Sequence, residues 1–488
     1  CTVLFCPPYS VNYFQFKSGR KSEIAELERI YSDGRPEFVV FYGRRRVGKT
    51  FLVNELFRDR IVFSHTALSP VEIEGKELMK MQLQNFVHSL VRAGMEVTEM
   101  PSNWLDAFFL LENFLESRPG DKRQLVFIDE LPWLDTPRSG FVTAFEAFWN
   151  GWGAKRDNLM LVVCGSAVSW ISDELVNGKD GLFDRLTAEI KLQPFTLREC
   201  EDFYRSRGIE MDRYDIVQSY MIFGGIPYYM NLFTQGRSLA QNVDALLFAN
   251  KGKLSLEYDR LFASIFKNPD EAEKVMNLLS GKRIGYTREE ILNKTGIAGG
   301  GGFSKLLRAL AESDFIAKFR YFGEPEKCVR YRITDNFCLF YRHFIACNRT
   351  DDAEYWQHNQ NSPSIASWRG FAFENVCFQH IFQIKSALGI SGVRTETYSW
   401  RGMESQIDML IDRADRLINL CECKFSSSDF IIDKEYDRKL RERQTSFIAE
   451  TKTRKPTLMT LVTTFGLKRN EYSGRFQNVI TSDDLFAR

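Results

Sequence analysis

Three apolar runs along the chain lack the apolar–polar alternation of a half-buried strand. They lie at 37–42 (EFVVFY), 124–130 (QLVFIDE) and 158–164 (NLMLVVC). Each reads as a strand covered on both faces. Between them lie stretches with helical periodicity at 22–31, 70–99 and 104–116, and an aromatic helix or turn at 141–152. Strands alternating with helices predict a parallel sheet with helices on both sides.

The pattern then changes. Residues 192–251 read as helical, with a break at Gly224-Gly225-Ile226-Pro227. A capped helix at 287–295, a glycine turn at 299–302, a second helix at 303–312 and a strand pair at 315–322 and 329–334 follow. Helix, turn, helix, hairpin is the outline of a winged helix. Residues 348–367 are polar and read as a linker. Beyond them come a helix at 371–387, strands at 395–400, 406–411 and 417–425, a charged helix at 433–451 and a strand at 457–463.

The first chemical motif sits just after the first strand. Gly43, Arg44, Arg45, Arg46, Val47, Gly48, Lys49 and Thr50 fit the phosphate-loop pattern G-x-x-x-x-G-K-[ST], and Phe51 continues into a helix. Such a loop turns its backbone N–H groups inward around phosphate oxygens. Glycine permits the turn, the lysine supplies a point charge, and the Thr hydroxyl reaches Mg²⁺. The strand before and the helix after supply the required setting. The run at 124–130 ends in two carboxylates, as a Walker B strand does. Asp129 is the candidate Mg²⁺ holder and Glu130 the residue that orients or deprotonates the attacking water. Ser166 closes the next strand, as a sensor of the terminal phosphate or as a turn serine. ATP and Mg²⁺ are the expected ligands.

Composition narrows the setting. Net charge is +1 over 488 residues, so nucleic-acid binding has to come from local basic patches. The 41 Phe predict aromatic cores. Ten scattered Cys and five scattered His show no zinc spacing, and reduced thiols in a cytoplasmic protein are the simplest expectation. No apolar run approaches the roughly 18 residues of a membrane span. The opening CTVLFC is short and lacks a basic flank, so no signal peptide is expected there.

GRRRVGKT, VFIDE, GLFDRLTAEI and GGIPYYM together resemble the archaeal-type P-loop ATPases, which occur in archaea and bacteria and are related to the AAA+ and STAND classes. The resemblance covers roughly residues 16–350. It implies an α/β protein: a P-loop ATPase core at 16–192, a helical lid at 193–265, a winged helix at 266–347, a linker at 348–367 and a restriction-endonuclease-like α/β domain at 368–488. Arg185 is a candidate arginine finger, acting in its own subunit or on a neighbour in a homo-oligomer, or else a surface arginine.

The C-terminal segment holds a second pattern. Asp408 lies on one strand, and Glu422-Cys423-Lys424 on the next. This resembles the PD-(D/E)xK nucleases. Alternate strand residues share a face, so Glu422 and Lys424 project together while Cys421 and Cys423 point away. A hairpin folded about Ala414 sets Asp408 opposite Leu420 on that same face. Two carboxylates there suit Mg²⁺, which activates water at a phosphodiester. The resemblance adds Glu374, in the preceding helix, as a further metal ligand or else an ordinary helix charge, and Gln444 as a polar helper or else a surface residue.

Nucleic acid, DNA before RNA, is the partner this implies. Lys282, Arg283, Arg288, Lys294, Lys305 and Arg308 make the winged-helix region basic, for phosphate contacts, or else the winged helix serves protein contacts or extends the ATPase lid. Lys434, Arg438, Lys439, Arg441, Arg443, Lys452, Arg454 and Lys455 form a second basic run, either a DNA track or a solvated helix. The competing readings are a nucleotide-switch scaffold, or a winged-helix DNA-binding regulator with an inactive nuclease-like domain.

Overall fold

The continuous apolar runs become the centre of a five-stranded parallel sheet. A computed structural model describes residues 19–70, 75–176, 185–266, 268–281, 284–346 and 351–487. In it β1 (Glu37–Tyr42), β2 (Ile61–Thr66), β3 (Gln124–Asp129), β4 (Leu159–Gly165) and β5 (Ala188–Lys191) take the order β2-β3-β4-β1-β5. The inner strands β1, β3 and β4 are buried along their whole length. That is why they read as unbroken apolar runs. β2 and β5 are the edges. Their sequences, IVFSHT and AEIK, are too polar to stand out, and the apolar pattern does not predict them.

The helices Gly75–Arg92, Trp104–Glu116 and Phe141–Ala147 belong to the same unit, and apolar residues from each join its core. That core is aromatic, as the Phe count predicts. Phe108 stacks on Phe148 at 5.2 Å between ring centroids, and Trp104 meets Phe141 edge-on at 5.1 Å. By contacts the chain divides into two units. One comprises Cys1–Pro194 with Asp259–Pro269 and Lys305–Ser313; the other comprises Phe195–Tyr258, Asp270–Ser304 and Asp314–Arg488.

The second unit opens with helices. Thr196 and Glu199 form a capping box at the start of Leu197–Ser206. Gly224 ends Arg213–Phe223 in the left-handed region, and Gly225 follows at φ +66°. A Cβ on Gly225 would lie 2.3 Å from the Phe195 carbonyl oxygen, so the predicted break is a close backbone approach. A three-stranded antiparallel sheet, β6 (Tyr286–Thr287), β7 (Ile316–Phe319) and β8 (Arg330–Ile333), has the order β6-β8-β7. Thr287 and Glu290 cap the helix Arg288–Thr295. Lys282 and Arg283 lie outside the described residues, as do residues 181–184 of GLFDRLTAEI.

The second large sheet is mixed: β9 (Thr395–Arg401), β10 (Gln406–Arg413), β11 (Ile418–Lys424), β12 (Thr457–Thr463) and β13 (Asn478–Ile480), in the order β13-β12-β11-β10-β9. β9, β10 and β11 pair antiparallel, while β11, β12 and β13 pair parallel. The helix Lys434–Thr451 covers one face, where Leu440 and Phe447 pack with Leu410, Leu420 and Leu461. The helix Pro363–Gln379 packs against β11 on the other side, with Phe373 meeting Phe425 at 5.6 Å.

Two expectations need correcting. Residues 348–367 are not simply a linker: within 351–367 the chain forms the helix Tyr355–Asn359 and begins Pro363–Gln379. Trp356 is 2% exposed and packs edge-on against Phe340 and Trp368, and Asp244 accepts hydrogen bonds from the Trp356 and Gln357 backbone N–H groups. One buried indole outweighs a polar neighbourhood. The β10–β11 register also differs by two residues. Leu410, not Asp408, opposes Leu420, and the turn centres on Asp415 with Arg416 at φ +70°. A two-residue shift preserves the face of every side chain, so Asp408 stays on the Glu422 side.

Candidate functional site

The loop after β1 is built around two special glycines. Gly43 has φ +147°, and a Cβ there would lie 2.4 Å from the Leu192 carbonyl oxygen; Gly48 sits at φ +92° and opens the helix Lys49–Leu56. Arg46 also has positive φ, at +73°. The loop therefore wraps in a conformation that side chains resist. Lys49 is buried and donates from Nζ to the carbonyl oxygens of Gly43 (2.8 Å) and Arg44 (3.0 Å). Its ammonium is thus held inside the loop.

The end of β3 meets this loop. Thr50 Oγ1 donates to Asp129 Oδ2 at 2.9 Å, and Asp129 Oδ1 accepts from the Glu130 N–H at 3.0 Å. Glu130 lies in the left-handed region at φ +52°, a strained position for a non-glycine residue. Its carboxylate is gripped by Ser166: Oγ donates at 3.0 and 2.9 Å, and the Ser166 N–H donates at 3.0 Å. Burial pushes the Glu130 carboxyl above its ordinary value. Lys49 and the Ser166 hydrogen bonds pull it down, and Asp129 pushes it up. Gly165 just before Ser166 is forced by packing, since a Cβ would lie 2.7 Å from Pro132 Cδ.

Gly43, Gly48, Lys49, Thr50, Asp129, Glu130 and Ser166 are therefore brought together as the sequence predicts. Of the alternatives for Ser166, the structure shows a side chain that fixes Glu130. Arg44 and Val47 are buried in the loop, whereas Arg45 is half-buried and donates to the Arg260 carbonyl at 3.4 Å. Phe51 is half-buried in the first turn of the helix. Arg185 is exposed ahead of β5, outside this hydrogen-bonded set. The Thr50 hydroxyl and the Asp129 carboxylate are hard oxygen donors facing each other, and a Mg²⁺ ion fits their chemistry.

The C-terminal residues also converge. Lys424 Nζ lies 2.7 Å from Glu422 Oε1, which also accepts from the Tyr436 hydroxyl at 2.6 Å. Arg443 Nη1 donates to Glu422 Oε2. Burial pushes Glu422 up, but Lys424 and Arg443 hold it below the ordinary carboxylate range. Asp408 is half-buried, acts electrostatically on Lys424, and accepts from Gln406 Nε2 at 3.3 Å. Cys421 and Cys423 face the opposite side, toward Cys377.

Several residues there were not predicted. Tyr436 and Arg443 belong to a helical stripe with Leu440 and Phe447, and Arg443 stands where the spacing calls for an apolar residue. That mismatch was the available signal. Arg332 gave none, because it comes from β8 of the other sheet; it lies within electrostatic reach of Glu374 and Asp408. Gln444 is not part of the set, since its Nε2 donates to Thr457 Oγ1 at 2.9 Å.

As arranged, the set does not fit a metal ion. Both oxygens of Glu422 are engaged by protein donors, and among the described residues no group of three or more His, Cys, Asp or Glu gathers around a common point. The basic run at 434–455 is paired as well, within the helix and, at Lys455, with β10. Arg438 meets Glu442, Lys439 meets Glu435, Arg441 meets Asp437 and Lys455 meets Asp412. This favours the solvated helix over a phosphate track. Arg308 likewise pairs with Asp173, and Arg288 donates to the Gly300 carbonyl at 3.3 Å.

A parallel sheet with β4 between the loop strand and the carboxylate strand, a glycine-bounded lysine loop and two consecutive acids define a P-loop ATPase. Comparison with known proteins agrees: residues 18–233 match the family described as an ATPase domain predominantly from Archaea, and the chain carries an ATPase domain of that type. Among curated proteins it is similar to an uncharacterized protein of Methanocaldococcus jannaschii, 24% identical over 394 residues, covering 80% of this chain and 83% of that one. A segment of 41 residues is 39% identical to an uncharacterized ATP-binding protein of the same organism, covering 8% of this chain and 70% of the relative. Similar solved structures include the Walker-type ATPase of Pyrococcus abyssi (18% identity, 67% of this chain and 95% of that one, TM-score 0.46). Another is the ORC2 protein of Aeropyrum pernix in ADPNP–ADP complexes (12%, 70% and 95%, TM-score 0.40). Among the described residues no helix is long and apolar enough to cross a membrane.

Proposed function

We propose that the protein binds and hydrolyses ATP at the loop of residues 43–50, and that nucleotide state controls a nuclease-like C-terminal site acting on DNA. The observation that carries the first part is the convergence of Lys49, Thr50, Asp129, Glu130 and Ser166 at the ends of β1, β3 and β4. Loop N–H groups and Lys49 bind the phosphates. Thr50 and Asp129 would hold Mg²⁺, which when bound neutralises charge on the β- and γ-phosphate oxygens. Glu130, held by Ser166, orients the attacking water and takes its proton. Phosphate release by the wild type and Lys49→Ala tests this: equal turnover overturns the assignment.

The second part is supported by Glu422 and Lys424 meeting at 2.7 Å on one face with Asp408 in electrostatic reach. Lys424 would steady a phosphate there. A Mg²⁺/Mn²⁺ cleavage assay on single- and double-stranded DNA and RNA, with Lys424→Ala as control, tests the site. Equal cleavage with and without ATP would remove the coupling. A nucleotide-switch scaffold remains the reading if no cleavage appears.

A further inference from the structure

Charges of both signs interleave at the C-terminal site. Glu422 is 3% exposed and accepts from Lys424, Tyr436 and Arg443, which come from β11 and from the helix Lys434–Thr451. The Arg332 guanidinium arrives from β8, seated over the Phe378 ring at 3.7 Å, with Glu374 and Asp408 as its acidic neighbours. Glu422 thus has a protein cation on each oxygen, and Glu374 and Asp408 lie within electrostatic reach of Arg332. A divalent cation needs direct oxygen contacts at about 2.1 Å, and a guanidinium on the same oxygen blocks that approach by position and by charge. Arg443 is also the charged residue in an otherwise aromatic and aliphatic helical stripe, where an apolar residue would pack at less cost.

We infer that Arg443 and Arg332 form an internal lock, holding Glu422, Asp408 and Glu374 in place of a metal ion, so that the site takes a divalent cation only when these arginines withdraw. The inference rests on the nuclease-like reading of this site. β8 offers a route for release. Just beyond β7, Phe322 donates its N–H to the Ser399 carbonyl of β9 at 2.8 Å, and Tyr321 bridges to Ser399. Movement of the β7–β8 hairpin against β9 would therefore carry Arg332 away from the acids.

The test is direct Mn²⁺ binding, followed by the electron paramagnetic resonance of free Mn²⁺, on the full chain carrying Asp129→Asn to remove the ATP-site cation. Arg443→Gln is expected to bind Mn²⁺ at least 10-fold more tightly than this parent, and Asp408→Asn added to it is expected to abolish the gain. Arg332→Gln, expected to act in the same direction, serves if Arg443→Gln does not fold. Equal affinity in parent and variants overturns the lock. If that shared binding is lost with Asp408→Asn, the nuclease-like reading stands without a lock; if none of the proteins binds, both fall.

Discussion

Thr50 Oγ1 and Asp129 Oδ2 lie 2.9 Å apart although 79 residues separate them. The contact joins the first turn of the loop helix to the end of a strand that is not the loop strand's neighbour, since β4 runs between them. Sheet order therefore sets the spacing between the glycine-bounded loop and this acid. Two side chains held in this way would have little orientation left to lose if a cation bridged them.

Asp129→Asn keeps the size of the side chain and a hydrogen bond to Thr50 but removes the charge. ATP turnover is expected to fall about 100-fold or more, the scale seen for loss of one electrostatic contact to a transition state. Melting temperature should move little. Phosphate release across a Mg²⁺ titration checks this; a Mg²⁺ dependence identical to that of the wild type would count against a direct metal role.

Ser166→Ala removes the hydroxyl donor to Glu130 and leaves the backbone donor in place. In the proposed reaction Glu130 acts as the carboxylate, and burial already raises its value. Activity should therefore be lost, as pH falls, at a higher pH than an ordinary glutamate would give. The variant removes a stabilising hydrogen bond and moves this acid limb higher still. We expect about a tenfold loss of kcat with KM for ATP unchanged. A pH–rate profile that does not shift would show that Ser166 merely fills space.

Gly43→Ala places a methyl 2.4 Å from the Leu192 carbonyl at φ +147°. Either the loop or the chain at 192 must move, and both border the site. Destabilisation of about 1–3 kcal/mol is expected together with weakened nucleotide binding, read by chemical denaturation and by a fluorescent ATP analogue. Gly34→Ala is the comparison: φ is also positive, but no atom lies within 4 Å of the added methyl.

The phosphate loop, Asp129 and Glu130 were legible because their pattern is local: a buried strand names its own ends, and the motif follows directly. The alternation rule likewise placed Glu422 and Lys424 on one face. It survived the register error because two residues is the period of a strand. What escaped is what depends on distant partners. Edge strands β2 and β5 lack the burial that makes an apolar run. Arg332 reaches the C-terminal acids from another sheet, and no spacing in the chain announces that. Residues 351–367 look like a linker until Trp356 is seen to be buried.

Trp356→Ala is accordingly predicted to behave as a core deletion. The indole contacts Phe340, Phe344 and Trp368 and is 2% exposed. A loss of about 3–5 kcal/mol is expected, against less than about 0.5 kcal/mol for a true surface linker. Urea melts followed by tryptophan fluorescence separate the two.

His380 gives the last prediction. Its Nδ1 lies 2.9 Å from the Val376 carbonyl, which accepts only, so Nδ1 carries the proton; Nε2 then accepts the Leu197 N–H at 3.0 Å. A second proton on Nε2 would face that N–H. Burial pushes the imidazole down to about 4, with the Val376 hydrogen bond opposing. Because the folded value is below the unfolded one, near 6.5, the stabilisation is complete above pH 6.5 and is lost as pH falls from there toward 4. The gap corresponds to about 3 kcal/mol over that window. His65, also pushed down to about 4 by burial and by Arg92, adds a similar slope in the other unit. His380→Gln retains an oxygen acceptor for Leu197 without titrating. It should be less stable than wild type at pH 7 and show a shallower loss between pH 6.5 and 4. Denaturant melts at half-unit pH intervals would expose the difference, and parallel curves for the two proteins would mean that His380 does not carry it.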